Sequence, residues 1–279
     1  MIQTTDSSRD RKAYDLAKEF LVGLDVEGVT PDLIEKYLSF STTNPRPNSL
    51  PEIYSRILES AQNANMKARI VGGAIDGINN LKPALCGFEP RSIISTYSND
   101  WSEVLDTIVQ VVKPKGKIRR TPKSIWPRYC QTILSAASFL AKFESADDFY
   151  NWADFFDKDD RARAALPMLL SEEIKGIGFA LACDFLKELG YVRFGKPDVQ
   201  IKGIFKELNL CSSNASDYEV FNAIVRVAKN VGVTPYNVDK LFWLIGSGTF
   251  YDDRHLGKQG RIGGRKKQFI AYATQRGMN

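Results

Sequence analysis

Two short features of the chain carry chemistry. Gly176-Ile177-Gly178 is a glycine-apolar-glycine turn, and twenty residues beyond it Pro197-Asp198 opens the amphipathic stretch VQIKGIFKEL. The amides of such a turn, at the positive end of a helix dipole, bind a phosphate oxygen without any side chain. An aspartate at a helix start is held in one orientation beside the terminus, where it can face a developing positive charge. Each feature also has a plain structural use, because glycine ends helices and N-cap aspartates stabilise them.

Other catalytic classes have little to work with. Cys86, Cys130, Cys183 and Cys211 lie far apart, so neither a zinc site nor an iron–sulfur cluster is expected, and reduced thiols fit best. The single histidine, His255, lies in a basic glycine-rich tail and reads as a solvated loop residue. No metal site is expected. The polar start MIQTTDSSRDRK lacks a signal-peptide core, and no run reaches the length of a membrane span, so a soluble, cytoplasmic chain is expected.

The formal charge is +5, and its distribution says more than its size. Residues 113–128, KPKGKIRRTPKSIWPR, carry seven basic groups and no acid; residues 254–267, RHLGKQGRIGGRKK, carry six and none. Residues 144–160 are strongly acidic. Segregated sign of this kind fits a polyanion partner on one face, although a single such run can be only a solvated loop.

The elements that must position these groups are helices. Apolar residues recur at i, i+3, i+4 and i+7 in eleven stretches, from RKAYDLAKEFLVGL to TPYNVDKLFWLIGSG, many opened by Asp, Ser or Thr and several closed by Gly. The fold class is therefore all-α. Residues from about Gly72 to Asn99, punctuated by Gly-Gly, Asn-Asn, Lys-Pro and Glu-Pro, read as a long irregular crossing.

Residues 174–205 resemble the helix-hairpin-helix and following aspartate loop of the base-excision DNA glycosylases related to endonuclease III. In that family Leu-Pro-Gly-Val-Gly is followed about twenty residues later by Val-Asp-Thr-His; here Ile174-Lys175-Gly176-Ile177-Gly178 precedes Pro197-Asp198-Val199-Gln200. Upstream, ILESAQNANMKA (57–68) is similar to the family's Leu-Leu-Ser-Ala-Gln stretch, which places Gln62, with Asn63 beside it, at the position that enters the duplex. The likeness covers residues 50–70 and about 125–250; residues 72–124 are a longer interval than the resemblance leads one to expect, and the first 45 residues match no motif.

The resemblance implies two helical subdomains with a cleft between them. Residues 1–124 would form an N-terminal helical region, 125–210 the core with hairpin and aspartate, and 211–279 C-terminal helices completing the first subdomain with a basic tail. It further implies a DNA glycosylase acting on double-stranded DNA as a monomer, nucleoid-associated if the source is bacterial. Asp198 would stabilise the positive charge that develops on the sugar and orient or deprotonate water. Lys175, Gly176, Ile177, Gly178 and Ala180 would hold the backbone, and Gln62 would fill the gap left by the extruded nucleotide. No cofactor is required, although hairpin carbonyls of the family bind a monovalent cation such as potassium or sodium.

Bifunctional relatives carry a Schiff-base lysine where this chain has Ala180, so the expected reaction is hydrolysis without strand nicking. Lys175 and Lys187 read as phosphate-facing or solvated. Trp126, Tyr129, Tyr150 and Trp152 lie in helices that border the family's cleft and could stack on an extruded base, while helical spacing equally allows them as core. The competing function is a non-catalytic helix-hairpin-helix DNA-binding protein of repair or recombination, and a direct nuclease or lyase is a third. Which base is removed is not written in these motifs.

Overall fold

The computed structural model describes residues 7–39, 46–63 and 68–278. Among them are fourteen α-helices and, in place of strands, two isolated bridges, Thr249 with Arg261 and Gly257 with Arg261. The protein is all-α. No helix among the described residues is long and apolar enough to cross a membrane. The chain forms two compact units, Met1–Asn44 with Gly190–Asn279, and Pro45–Leu189. The sequence-based divisions fall instead at 124 and 210.

In the first unit, α1 (Ser7–Val22), α2 (Pro31–Leu38), α11 (Val199–Glu207), α12 (Asp217–Val231) and α14 (Lys266–Gln275) pack around or beside α13 (Pro235–Ser247). Helix α13 is buried nearly all round, with Val238, Leu241, Phe242, Leu244 and Ile245 in the core and the charged Asp239 and Lys240 also buried. Its core joins Phe205, Phe242, Phe250 and Phe269 to Leu16, Ala17 and Leu21 of α1. Distant parts of the chain are tied by one polar knot: Arg226 donates from Nε and Nη2 to the buried Asp10 carboxylate at 2.9 and 3.0 Å, and Asn230 Nδ2 donates to it at 2.7 Å. Removing one partner of such a knot leaves a buried charge uncompensated.

The second unit contains α3 (Leu50–Gln62), α4 (Ala68–Ile75), α5 (Pro90–Tyr97), α6 (Trp101–Val111), α7 (Ile125–Leu140), α8 (Ala146–Lys158), α9 (Ala165–Glu173) and α10 (Phe179–Glu188). Helix α7 is its centre and packs on α3, α5, α6 and α9. Tyr54 of α3, fully buried, donates its hydroxyl to Ile133 O of α7 at 2.9 Å. Packing of α3 on α7 is why no unit boundary falls at 124: the intervening residues fold onto both helices.

Residues 72–99 are more regular than their punctuation implies. They hold the end of α4, 3-10 turns at Ile78–Leu81 and Cys86–Phe88, and α5. Pro90 starts α5 at a position where its missing N–H costs nothing. Helix α14 was likewise invisible in the basic tail, because only Phe269 and Ala273, one helical turn apart, are buried on it.

Candidate functional site

The glycine turn is built in the second unit. Helices α9 and α10 pack on one another and are joined by Ile174–Gly178. Ile174 and Ile177 are buried and pin the turn, and Ile177 N–H donates to Ile174 O at 3.1 Å. Gly176 has φ +85°, and a Cβ there would lie 2.6 Å from Thr132 Oγ1, so glycine is required on both counts. From α7, Thr132 Oγ1 donates to Lys175 O at 2.6 Å, and Ser135 Oγ accepts from Lys175 N–H at 3.0 Å. The turn is therefore clamped through its backbone while Lys175, Gly176 and Gly178 stay exposed.

Gly178 is the N-cap of α10 and no side chain caps this end. A Cβ on Gly178 would meet nothing within 4 Å. Among the described residues, the amides of Gly178 and Ala180 donate to no group. Three carbonyls of the turn, of Ile174, Lys175 and Gly178, already accept internal hydrogen bonds.

Asp198 is built in the first unit. It is the N-cap of α11, in extended backbone with φ −80° and ψ 176°, and its Oδ1 accepts from the amides of Gln200 at 2.9 Å and Ile201 at 3.1 Å. Among the described residues its Oδ2 accepts no hydrogen bond. The side chain is half-buried. Burial pushes its carboxyl above the usual range, the nearby Asp239 carboxylate pushes the same way, and the capping amides and Lys196 oppose them.

The other sequence candidates are placed as follows. Gln62 ends α3; its Nε2 donates to Tyr129 OH at 3.2 Å, and its Oε1 lies where a Cβ on Gly72 would be, 2.5 Å away. Its amide is thus held against α7 and α4, while Asn63 is exposed. Trp126 and Tyr129 are buried; Tyr129 OH donates to Leu58 O at 3.2 Å, and burial raises its phenol well above the ordinary value. Tyr150 is half-buried, donates to Pro47 O at 2.9 Å, lies under Arg46 and is pushed up to about 12 by burial. Trp152 packs with Phe139, Phe143, Phe149 and Phe156. Lys187 is neither solvated nor phosphate-facing: it is buried and paired with Asp184 at 3.2 Å, because it falls on the core face of α10.

Both basic runs are at the surface. All seven cations of 113–128 are exposed, and Arg120 pairs with Asp106. In 254–267, Arg254, Lys258, Arg261 and Lys267 are exposed and Arg265 and Lys266 half-buried, and none of the six has a carboxylate partner among the described residues. That loop is nonetheless anchored, by buried Phe250 and Leu256 and by Phe250 N–H donating to Gly260 O at 2.6 Å. His255 is exposed on it. The cysteines are free thiols, Cys130 pushed to about 12 by burial, and no cluster of three or more His, Cys, Asp or Glu side chains suited to a metal occurs among the described residues.

Thr132, Ser135 and Asp239 were missed in the sequence. Each is a polar residue inside an otherwise apolar helical stripe, which is the signal that could have marked it. Comparison with protein-family models, curated proteins and solved structures finds no match.

Proposed function

We propose that the protein is a monofunctional DNA glycosylase that hydrolyses the N-glycosidic bond of an extruded base and leaves an abasic site. The observation that carries this reading is the state of Asp198: one oxygen is fixed by two amides, and the other accepts no bond among the described residues. A carboxylate so oriented in a half-dry setting stabilises an oxocarbenium-like sugar more strongly than one in water, and can hold the attacking water. The uncapped start of α10 supplies amides of the kind that grip a phosphate, and the unpaired cations of 254–267 fit the backbone of double-stranded DNA. The hairpin reading of α9 and α10, a cleft that admits the base, and a monovalent cation at turn carbonyls other than those of Ile174, Lys175 and Gly178 belong to the same proposal. Filling the duplex gap with Gln62 requires that its bond to Tyr129 be released. Ala180 in place of a lysine supports hydrolysis without strand nicking.

One observation favours the non-catalytic DNA-binding reading: Asp198 already serves its own helix as a cap. Asp198→Asn separates the two, since asparagine also caps. Base release from a panel of alkylated, deaminated, oxidised and otherwise modified duplexes, read by mass spectrometry, is expected to fall by about 10²–10⁴-fold while DNA affinity is kept. Unchanged release would remove Asp198 from the mechanism. A borohydride-trapped adduct on abasic DNA would contradict the assignment from Ala180.

A further inference from the structure

The segment that presents Asp198 is fastened to α13 by one buried acid. Asp239 is 1 % exposed, and its Oδ2 accepts from Lys196 N–H at 3.1 Å. Two residues on, Asp198 N–H donates to Lys196 O at 2.8 Å, so the peptide of Lys196 is gripped by α13 on one side and turns directly into the cap on the other. The preceding residues are pressed to the same place. A Cβ on Gly195 would lie 2.6 Å from Ile224 Cγ2, 3.2 Å from Pro235 O and 3.5 Å from Asp239 Cβ. Val192 O accepts from Tyr236 N–H at 3.0 Å, and Phe194 is fully buried against Phe221.

Asparagine or serine would accept the same hydrogen bond, so a carboxyl group here brings something that a clamp alone does not need. We propose that Asp239 is a positioning residue for Asp198, fixing the Lys196–Asp198 turn through its hydrogen bond to Lys196 N–H and placing a second carboxyl group behind the reacting one. The inference rests on reading Asp198 as the reacting carboxylate.

Other charged groups stand around the head of α11. Lys196 opposes Asp239 in its effect on Asp198. On α12, Asp217 is held by Lys202 at 3.0 Å; on α14, Lys266 lies against Gly203, a turn further along α11. Lys240, next to Asp239, turns its amine to Tyr251 OH at 2.9 Å. Asp239 is thus the group whose charge pushes Asp198 toward the protonated form, together with burial itself.

Two substitutions separate clamp from charge. Asp239→Asn keeps an acceptor for Lys196 N–H and removes the charge, so the plateau rate of base release should stand while its acid limb moves to lower pH. Asp239→Ala removes both and is expected to lower the plateau by about ten- to a hundredfold, as a small misplacement of a reacting group does. Because the alanine variant can fail to fold, the asparagine variant decides the point. A carboxyl-carbon NMR titration of Asp198 in the full chain gives a second readout that needs no turnover: its midpoint should fall in Asp239→Asn. A limb and a midpoint that both stay put overturn the role of Asp239 while leaving Asp198→Asn to judge the glycosylase. If no base is released from any duplex, the functional reading fails, and the NMR midpoint alone then decides whether Asp239 governs Asp198.

Discussion

Helices α10 and α11 begin in opposite ways. The first starts at Gly178, exposed, with no side-chain cap and open space around its Cα. The second starts at Asp198, half-buried, with Oδ1 on two of its amides. Both starts are held by hydrogen bonds, but by different means. At α10 the clamp is applied from behind, by Thr132 and Ser135 gripping Lys175, and among the described residues the amides of Gly178 and Ala180 donate to no group. At α11 the amides of Gln200 and Ile201 are taken by the cap, and among the described residues the other carboxylate oxygen accepts no hydrogen bond. A helix start that keeps its amides open suits an anion, and one that keeps a fixed carboxylate open suits a cation or a developing positive charge.

That contrast can be broken in graded steps. The largest effect on folding is expected at Gly176→Ala, where positive φ and Thr132 Oγ1 together should cost about 1–3 kcal/mol, read as a drop in the midpoint of urea unfolding. A midpoint unchanged within error would mean that the turn relaxes and is not held from α7. Next comes Asp198→Ala, which loses the cap and should cost about 1 kcal/mol, whereas Asp198→Asn should cost nothing at neutral pH.

The pH dependence sharpens the second test. Because the folded-state carboxyl of Asp198 is raised, the folded protein favours its protonated form, and that preference is fully present below the unfolded carboxyl's pKa. It is lost as pH rises through the folded value. Stability of the wild type relative to Asp198→Asn should therefore decline from acid to neutral pH; a gap that widens in the wild type's favour would reverse the sign and place the carboxylate in a favourable ion pair.

The smallest effect on stability, and the most specific, belongs to Gly178→Ala. Its backbone is extended and its surroundings are open, so thermal unfolding should not move. If the amides at the start of α10 meet a phosphate, the added methyl should weaken duplex binding several-fold, measured by fluorescence anisotropy. Equal affinity would leave the open helix start without a ligand. Binding should also weaken steeply with salt, and less steeply once Lys258, Arg261 and Lys267 are replaced by alanine.

The helical periodicity of eleven stretches was legible because each has to bury an apolar stripe, and a stripe is a local pattern. The cap at Asp198 was legible for the same reason: its bonds reach only to residues 200 and 201. Helices α4 and α5 were not, since Gly72-Gly73 and Pro90 carry breaker signals that packing and an N1 proline override. Nor was the burial of Lys187, which depends on which side of α10 meets the rest of the unit.

What the sequence alone determined is therefore local: the starts and stops of most helices, the glycine turn at 176–178, the capping aspartate, and the two cationic runs. Only the tertiary structure decided that Thr132 and Ser135 hold the turn, that Gln62 is bonded to Tyr129, and that Asp239 stands behind Asp198. Those pairings join residues some 40 or more apart in the chain, brought together by burial of apolar faces, and burial acts on surface without regard to sequence separation.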